Sequence, residues 1–534
     1  MSRVEPPGAW WRAATIYQVY PRSFQDSGRR ADGGGVGDLP GLRRRLPYLA
    51  WLGVEAVWIS PFYPSPMHDF GYDVADYCDV DPLFGSLADF DRLVADAHEL
   101  GLRIILDFVP NHTSIEHPWF VAGRCREGGK ADWHIWRDPG PGGGPPNNWL
   151  SHFGGPAWTF ESSRGQFYHH AFLPEQPDLN WRNPAVREAM FDVLRFWLRR
   201  GVDGFRVDVI SQIVKDEALR DDPPNPAWTP DRPQFERLLR IYSGDRPEAH
   251  EFVAQMRAVL EEFGERVLIG EIYLPLERLV AYYGENLRGA HLPFNFSLLE
   301  TPWTAEGVGA AVEAYEALLP AGAWPNWVLS NHDRPRVAAR VGERQARVAA
   351  MLLLTLRGTP TLYYGDELGI GHVDIPPDRV RDPWGLREPG APVGRDPERT
   401  PMQWDDSANA GFSAAEPWLP LTPDWRLRNV EAQARDPVST LSLTRALLAY
   451  RRAHASLVFG AWRRLPAASG LLAYAREEGE ERTRVVLNFT HAPALWRVDG
   501  GPGRIALSTF CDRAGEGVDE TLALRPDEGV ILAG

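Results

Sequence analysis

The chain has 534 residues, enough for one large domain and one or two smaller ones, and its apolar share of 44% and charged share of 24% are typical of a soluble globular protein. Asp and Glu (72) outnumber Lys and Arg (57), and the net charge of −15 argues against a nucleic-acid partner and favours a neutral or cationic small substrate. Three widely spaced cysteines form neither a disulfide framework nor a metal-binding motif.

The N-terminus lacks an apolar signal core, and the longest apolar runs, such as residues 348–356, are too short to cross a bilayer. We therefore expect a cytoplasmic protein that is not attached to a membrane. Tryptophan is abundant, with 21 copies. Two explanations stay open for this excess: a large aromatic core, or a carbohydrate site in which sugar faces pack on aromatic rings.

Short apolar runs alternate with amphipathic helical stretches from the start of the chain to about residue 455. The strand-like runs lie at 15–20, 55–60, 103–109, 204–209, 266–272, 290–296, 326–331 and 359–365. Eight strand–helix units are the number that closes an α/β (β/α)₈ TIM barrel. An open doubly wound sheet is the rival, but no Gly-rich phosphate-binding motif follows any of the strands.

Two segments break the alternation. Residues 113–180 are rich in Gly, Pro, Trp and His and are too aromatic for a disordered linker, which predicts an inserted subdomain after the third strand. From residue 458 to 534, short alternating runs separated by turn residues predict a small antiparallel β-domain. The barrel is then assigned to residues 1–112 and 181–457.

Polar and acidic residues gather where four of the predicted strands end. They are Asp107, Asn111 and His112 after the third strand, Arg206 and Asp208 in the fourth, Glu271 after the fifth, and Asn331, His332 and Asp333 after the seventh. Each set alone is compatible with a structural ion pair or a helix N-cap. Four sets at the C-terminal rim of one barrel indicate a catalytic site.

The fourth strand, "GFRVDVI" at 204–210, carries a charged pair in a run that otherwise reads as core. Arg206 and Asp208 are two residues apart, so they lie on the same face of the strand. A buried ion pair is seldom a source of stability. We therefore expect the pair to serve chemistry, with Arg206 keeping Asp208 ionised and oriented.

Three motifs carry a family resemblance: "QPDLNW" at 176–181, "GTPTLYYGDELG" at 358–369 and "ERTPMQW" at 398–404. On these motifs the chain resembles glycoside hydrolase family 13, the α-amylase family, over nearly its whole length. It is most similar to the bacterial branch of α-glucosidases and oligo-1,6-glucosidases. The resemblance implies a TIM barrel with an inserted domain after strand three and a C-terminal β-sandwich.

The resemblance also implies roles for three carboxylates. Asp208 is the nucleophile, Glu271 is the general acid/base, and Asp333 stabilises the distorted, oxocarbenium-like sugar. The implied enzyme is an exo-acting, retaining α-glucosidase that releases glucose from the non-reducing end of short oligosaccharides through a glucosyl-Asp208 intermediate. Retaining enzymes hold the two reacting carboxylates about 5–5.5 Å apart, and this chemistry requires no cofactor.

Other positions match the substrate-binding residues of the family. His112 and His332 would bond the hydroxyls of the innermost glucose, and Tyr72 would stack against that sugar. Asp69 and Arg399 resemble the pair that closes the pocket behind the terminal glucose, and this closure is the main sequence argument for exo action.

Val209, which follows the nucleophile, matches the pattern associated with α-1,6 cleavage, whereas Thr or Ala at this position leans to α-1,4. We expect activity on short α-glucosides with α-1,6 linkages, α-1,4 linkages or both, and α-1,1 linkages are a further candidate. One side chain at this subsite shifts discrimination by about 1–3 kcal/mol. A glucosyltransferase or isomerase of the same family, such as a trehalose synthase, is the alternative, because it uses the same carboxylates.

A metal loop is the point at which the chain departs from its relatives. They carry an Asp/Asn-rich loop after strand one that holds calcium or magnesium, but this chain has "DSGRRADGGGVGD" at 26–38. Asp26, Asp32 and Asp38 would supply oxygen ligands to a structural ion. A metal-free glycine turn is the equally weighted alternative.

Overall fold

The computed structural model describes residues 9–29, 34–388 and 394–533. The first strands in chain order are β1 (Ile16–Val19), β2 (Ala56–Ile59), β3 (Arg103–Phe108), β4 (Trp136–Arg137), β5 (Trp158–Glu161), β6 (Gln166–His169), β7 (Gly204–Val207), β8 (Val267–Gly270), β9 (Leu292–Pro293), β10 (Asn326–Val328) and β11 (Thr359–Tyr363). The α-helices are α1 (Pro21–Phe24), α2 (Leu39–Leu52), α3 (Leu87–Glu99), α4 (Pro118–Cys125), α5 (Pro184–Arg199), α6 (Glu248–Glu261), α7 (Leu276–Leu279), α8 (Ser297–Glu300), α9 (Ala305–Leu318), α10 (Val337–Val341), α11 (Glu343–Thr355), α12 (Pro383–Arg387), α13 (Val430–Arg435), α14 (Thr440–Ala453) and α15 (Ala455–Val458). Within the described residues, no helix combines the length and apolar character needed to cross a membrane.

Eight strands form one sheet in the order β10-β11-β1-β2-β3-β7-β8-β9. The pairing is parallel, and the last strand, β11, lies beside the first, β1. Neighbours in space therefore follow the order of the chain, and the successive strands β9 and β10 are the two ends of the hydrogen-bonded ladder. The predicted (β/α)₈ TIM barrel is confirmed.

Side chains on the two faces of the barrel strands belong to two separate hydrophobic clusters. Inward-facing residues of different strands, such as Ile16, Trp58 and Ile269, form one cluster. On β7, Phe205 and Val207 belong to the larger cluster shared with the surrounding helices. Since side chains alternate faces along a strand, Arg206 points inward, as the sequence predicts.

The sixth barrel strand is shorter than its sequence pattern indicates. The run at 290–296 predicts a strand of several residues, but only Leu292 and Pro293 pair with β8. Proline has no backbone N–H, so Pro293 cannot donate a hydrogen bond to a neighbouring strand.

The insertion after β3 contains a three-stranded antiparallel sheet in the order β4-β6-β5. These strands lie inside the segment 113–180 that the sequence assigns to an inserted subdomain. Its aromatic residues form a small core of their own, in which Trp149, Trp158 and Phe167 are buried. The insertion starts from the C-terminal rim of the barrel, since it follows directly from the end of β3.

The C-terminal region is an antiparallel β-domain. Its strands are β12 (Ala461–Leu465), β13 (Leu471–Glu478), β14 (Glu481–Asn488), β15 (Ala494–Arg497), β16 (Gly503–Ser508), β17 (Gly517–Val518), β18 (Thr521–Leu524) and β19 (Gly529–Ala533). A six-stranded sheet, β12-β13-β14-β19-β16-β17, packs against the β15-β18 pair around a core that includes Trp496. The predicted C-terminal sandwich is confirmed, and the boundary predicted at residue 458 falls at the end of α15.

Candidate active site

The side chains at the barrel rim meet around one buried arginine. Arg206 Nη1 lies 2.7 Å from Asp107 Oδ1 and 2.8 Å from Asp208 Oδ1, and Nη2 lies 2.5 Å from Glu271 Oε1. The guanidinium is fully buried. Parallel pairing places Asp107 of β3 directly beside Arg206 of β7, and Glu271 directly follows β8. The three carboxylates therefore share a single cation.

Because carboxylates outnumber cations here, protons are held more tightly than usual. Burial raises the pKa of Asp208 well above its ordinary value, Arg206 opposes that rise, and Glu271 and Asp107 add to it. Burial likewise raises the pKa of Asp107 to about 6 against the pull of Arg206. The expectation that Arg206 by itself keeps Asp208 ionised is therefore too simple, since burial and two neighbouring carboxylates act against this cation.

Glu271 is held from its other side by the backbone of the segment after Asp208. The N–H of Val209 donates to Glu271 Oε2 at 2.9 Å. Val209 has a φ of 37°, in the left-handed region that a β-branched residue rarely adopts. This strained turn aims the amide at the carboxylate, and strain of this kind gathers at functional sites.

Asp333 has a different environment from Asp208. Arg399 Nη2 donates to Asp333 Oδ1 at 2.8 Å, Arg395 Nη1 lies 3.2 Å from the same atom, and His332 Nε2 lies 3.2 Å from Oδ2. Burial would raise the pKa of Asp333, but His332 and the two arginines lower it below its ordinary value. Asp333 is therefore ionised at neutral pH.

The two histidines predicted to bind sugar are neutral side chains, and only His112 lines the pocket, whereas His332 lies behind Tyr72 and Asp333. Burial lowers the pKa of His112 to about 4 and that of His332 well below its ordinary value. His332 Nε2 is 2.6 Å from the Tyr72 hydroxyl, and the two rings stack with centroids 5.4 Å apart. The hydroxyl of Tyr72 also donates to Asp107 Oδ2 at 3.0 Å, so this wall of the pocket is a fixed hydrogen-bonded unit.

One end of the pocket is closed by a salt bridge whose arginine differs from the predicted one. Asp69 pairs with Arg395, at 2.6 Å, and not with Arg399 as expected. Arg395 also contacts Asp382 at 2.6 Å, while Arg399 donates to the carbonyl of His332 at 2.9 Å. Arg395 precedes the 3₁₀ helix Asp396–Arg399 and Arg399 is its last residue, so one guanidinium reaches Asp69 and the other turns toward Asp333.

The pocket holds about 250 Å³ and contains most of the predicted site residues. Its lining includes Asp69, Tyr72, His112, Asp208, Val209, Glu271, Asp333 and Arg395, together with His152, Phe153, Phe172, Gln212, Phe235, Arg240, Tyr273, Arg334 and Trp384. Sequence reasoning missed this second group, which comes from the insertion and from long loops. In the sequence, the only feature that points to Arg395 as a pocket residue is its position four residues before Arg399.

The loop predicted to hold a metal is bonded internally in its described part. Asp26 accepts from the N–H groups of Gly28 and Gly35, at 2.7 and 3.0 Å, and Asp38 caps α2 through Gly41 N–H at 2.7 Å. Arg29 also lies 3.3 Å from Asp38. Asp32 lies outside the described residues, so an ion in this loop stays a prediction. No group of three or more His, Cys, Asp or Glu side chains suited to a metal occurs in the described part of the chain.

Comparison with known proteins agrees with this geometry. The family model of the α-amylase catalytic domain matches residues 18–460. The chain is 43% identical over 513 residues to a probable alpha-glucosidase of Rhizobium meliloti (strain 1021), covering 92% of each chain. It is 36% identical to the oligo-1,6-glucosidase of Parageobacillus thermoglucosidasius, again over 92% of each. The solved structure of XgtA, an alpha-glucosyl transfer enzyme, superposes with a TM-score of 0.92 at 40% identity, over 99% of this chain and 100% of that one.

Proposed function

The chain belongs to the α-amylase family of glycoside hydrolases, and we propose that it is an exo-acting, retaining α-glucosidase of short α-glucosides. One observation carries the proposal. Asp208 and Glu271 bind the two terminal nitrogens of one guanidinium, so the two carboxylates face each other across a short gap at the bottom of a pocket closed by Asp69 and Arg395. A closed pocket admits the end of a sugar chain and excludes its middle.

The proposed reaction begins with Asp208 as nucleophile. An Asp208 oxygen attacks the anomeric carbon while Glu271 gives its proton to the glycosidic oxygen, and the bond to the leaving sugar breaks. The product is a glucosyl ester on Asp208. Glu271, now ionised, then takes a proton from water, which attacks the anomeric carbon and frees glucose with its α-configuration retained.

The surroundings support these roles. Asp333 carries a negative charge next to the inner sugar site, where it stabilises the positive charge that develops on the ring. Burial raises the pKa of Asp208 in the free site, Arg206 opposes this rise, and Glu271 adds to it. For the reaction, Asp208 must be ionised and Glu271 protonated at the start, and the Val209 N–H and Arg206 hold the side chain of Glu271 in place.

A hydrolysis panel tests the proposal. Maltose, isomaltose, trehalose, sucrose and maltotriose are incubated with the enzyme, and the products are resolved by chromatography, with the anomer of fresh glucose read by NMR. We expect α-glucose from the short α-glucosides and little activity on starch. Release of β-glucose, or rapid attack on starch with internal cleavage, would exclude this function.

Transglucosylation is the second candidate, and the likeness to an alpha-glucosyl transfer enzyme over the whole chain favours it. The two activities share every step up to the glucosyl ester and differ in whether water or a sugar hydroxyl attacks it. The same panel separates them, because trehalose or elongated saccharides formed from maltose would assign the transferase activity.

A further inference from the structure

The pocket has two ends of different charge. The deep end contains the carboxylates Asp69, Asp208 and Glu271, which are buried, and Asp333, which is partly exposed. The other end, here called the pocket opening, is formed by the partly or fully exposed residues His152, Phe172, Gln212, Phe235, Arg240, Tyr273, Arg334 and Trp384. The opening contains two arginines and no acidic residue.

Arg240 is the arginine of the opening that faces neutral groups. Its Nη1 donates to His152 Nε2 and its Nη2 donates to Gln212 Oε1. Burial lowers the pKa of His152 well below its ordinary value, so this ring is neutral. Two of the five N–H groups of Arg240 are thus used, both on uncharged acceptors.

Within the described residues, no carboxylate lies within ion-pair distance of Arg240. The charges of Asp222 and Asp178 act on it from a distance. Asp222 accepts the N–H groups of Ile241 and Tyr242 at 2.9 and 2.7 Å, and Asp178 pairs with Lys215. By contrast, Arg395 in the deep end contacts three carboxylates. Arg334 lies over the ring of Tyr273 and 3.9 Å from Glu300.

Aromatic rings fix the position of this cation. The ring of His152, which accepts from Arg240, stacks on Phe172 with centroids 4.8 Å apart and contacts Phe235 at 4.6 Å. Burial lowers the pKa of Arg240 to about 10, so it stays charged at neutral pH. A guanidinium in such apolar surroundings strongly favours an anionic partner, and its planar N–H groups match carboxylate and phosphate oxygens.

We propose that the pocket opening binds a leaving group that carries a small oxyanion, a carboxylate or a phosphate, with Arg240 as its charge partner. This inference rests on the proposed function, because the leaving group lies on the far side of Glu271 from the inner glucose. Arg240 is then a specificity-determining residue for α-glucosides with an acidic aglycone. Neutral disaccharides occupy the same space but offer no negative charge to pair with Arg240.

Three substrates of one linkage test the proposal. They are maltose, maltobionate, in which the reducing-end aldehyde is oxidised to a carboxylate, and maltose phosphorylated at C6 of the reducing-end ring. Initial rates of glucose release give kcat/KM for each. We expect the wild type to prefer at least one anionic substrate over maltose by about tenfold or more, the size of a charge-assisted hydrogen bond. The carboxylate and phosphate arms identify which oxyanion is bound.

Variants assign the preference to one side chain. Arg240→Gln is expected to lower the anionic-to-neutral ratio of kcat/KM about tenfold or more, while Arg240→Lys retains part of it. Arg237→Gln is the matched control, because Arg237 lies three residues away, is exposed and contacts Trp228 outside the pocket. The ratio for this control is expected to stay at the wild-type value.

The outcomes separate the two proposals. If maltose is cleaved but neither anionic substrate is preferred, or if Arg240→Gln leaves the ratio unchanged, the anion site is refuted and the α-glucosidase stands. If none of the three substrates releases glucose and the hydrolysis panel is also silent, the α-glucosidase itself fails. A preference for an anionic substrate that Arg240→Gln removes supports both the anion site and the α-glucosidase.

Discussion

Two buried ionic clusters lie close together in this molecule and differ in how charge is balanced. The catalytic cluster places Asp107, Asp208 and Glu271 around the single cation of Arg206. The insertion cluster surrounds one carboxylate, Asp178, with several donors. Lys215 and His169 bind Asp178 Oδ2, while Asn111 and the N–H of Ala171 donate to Oδ1 at 3.1 and 3.0 Å.

The two clusters therefore hold protons in opposite ways. Burial raises the pKa of Asp208, and its carboxylate neighbours strengthen the effect. Burial would also raise the pKa of Asp178, but Lys215 and His169 lower it below the ordinary value. A surplus of acids keeps a proton available for transfer, whereas a surplus of donors fixes a permanent ion pair. The first arrangement suits a reaction and the second suits the joining of the insertion to the barrel.

The largest expected effect comes from removing an acid of the catalytic cluster. Asp208→Asn should lower kcat for glucose release by about 10⁴-fold or more, the size of effect that loss of an essential nucleophile gives. Unfolding in urea should show no loss of stability, because the cluster has more acids than its cation balances. Activity near the wild-type level would refute the assigned role, and a large loss of stability would refute the charge balance.

Next in size is the removal of the cation from the insertion cluster. Lys215→Met should lower the free energy of unfolding by about 3–5 kcal/mol, because Asp178 keeps its charge but loses its main partner. Urea denaturation followed by tryptophan fluorescence measures this change. The control is Lys130→Met, which replaces the only other lysine, a partly exposed side chain over the ring of Trp133. Equal stability of the two variants would contradict the comparison.

Glu367 is a third buried carboxylate, and no cation pairs with it in the described part of the chain. It therefore extends the comparison to a carboxylate without a charged partner. Tyr17, Tyr48 and the N–H of Gly365 donate to it, at 2.6, 2.8 and 2.8 Å. Burial raises its pKa to about 7. The pKa of Glu367 is higher in the folded chain than in the unfolded chain, so folding is favoured when Glu367 is protonated. This contribution to stability is complete below about pH 4.3 and is lost as pH rises to about 7.

Glu367→Gln should remove that pH dependence, which amounts to about 3–4 kcal/mol between these limits. Urea midpoints at several pH values between 4.5 and 8 measure it. Glu99→Gln, at an exposed position at the end of α3, serves as the control and should keep the wild-type slope. An unchanged slope in Glu367→Gln would show that burial of this carboxylate does not raise its pKa.

The smallest expected effect concerns Val209, whose backbone holds Glu271 while its side chain lines the pocket. Val209→Thr should shift the ratio of kcat/KM for isomaltose over maltose toward maltose by about 1–3 kcal/mol in transition-state energy. Because the backbone N–H is kept, total activity on the preferred substrate should change little. A shift in the opposite direction would overturn the assignment of linkage preference to this position.

Much of the architecture was readable from the chain. Eight runs of alternating or continuous apolar residues predicted the barrel, because strand periodicity is a local property. The same periodicity placed Arg206 and Asp208 on one inward face. The family motifs led to Asp208, Glu271 and Asp333, and the structure brings all three to one pocket.

Contacts between distant segments were decided only by the tertiary structure. Asp69 pairs with Arg395 instead of Arg399, since the backbone course around the 3₁₀ helix Asp396–Arg399 determines which guanidinium reaches it. Arg240 meets His152 across 88 residues of sequence, and no local pattern predicts such a contact. The raised pKa of Asp208 depends on how many carboxylates surround one cation in space. Periodicity is written in neighbouring residues, but charge balance exists only once the chain has folded.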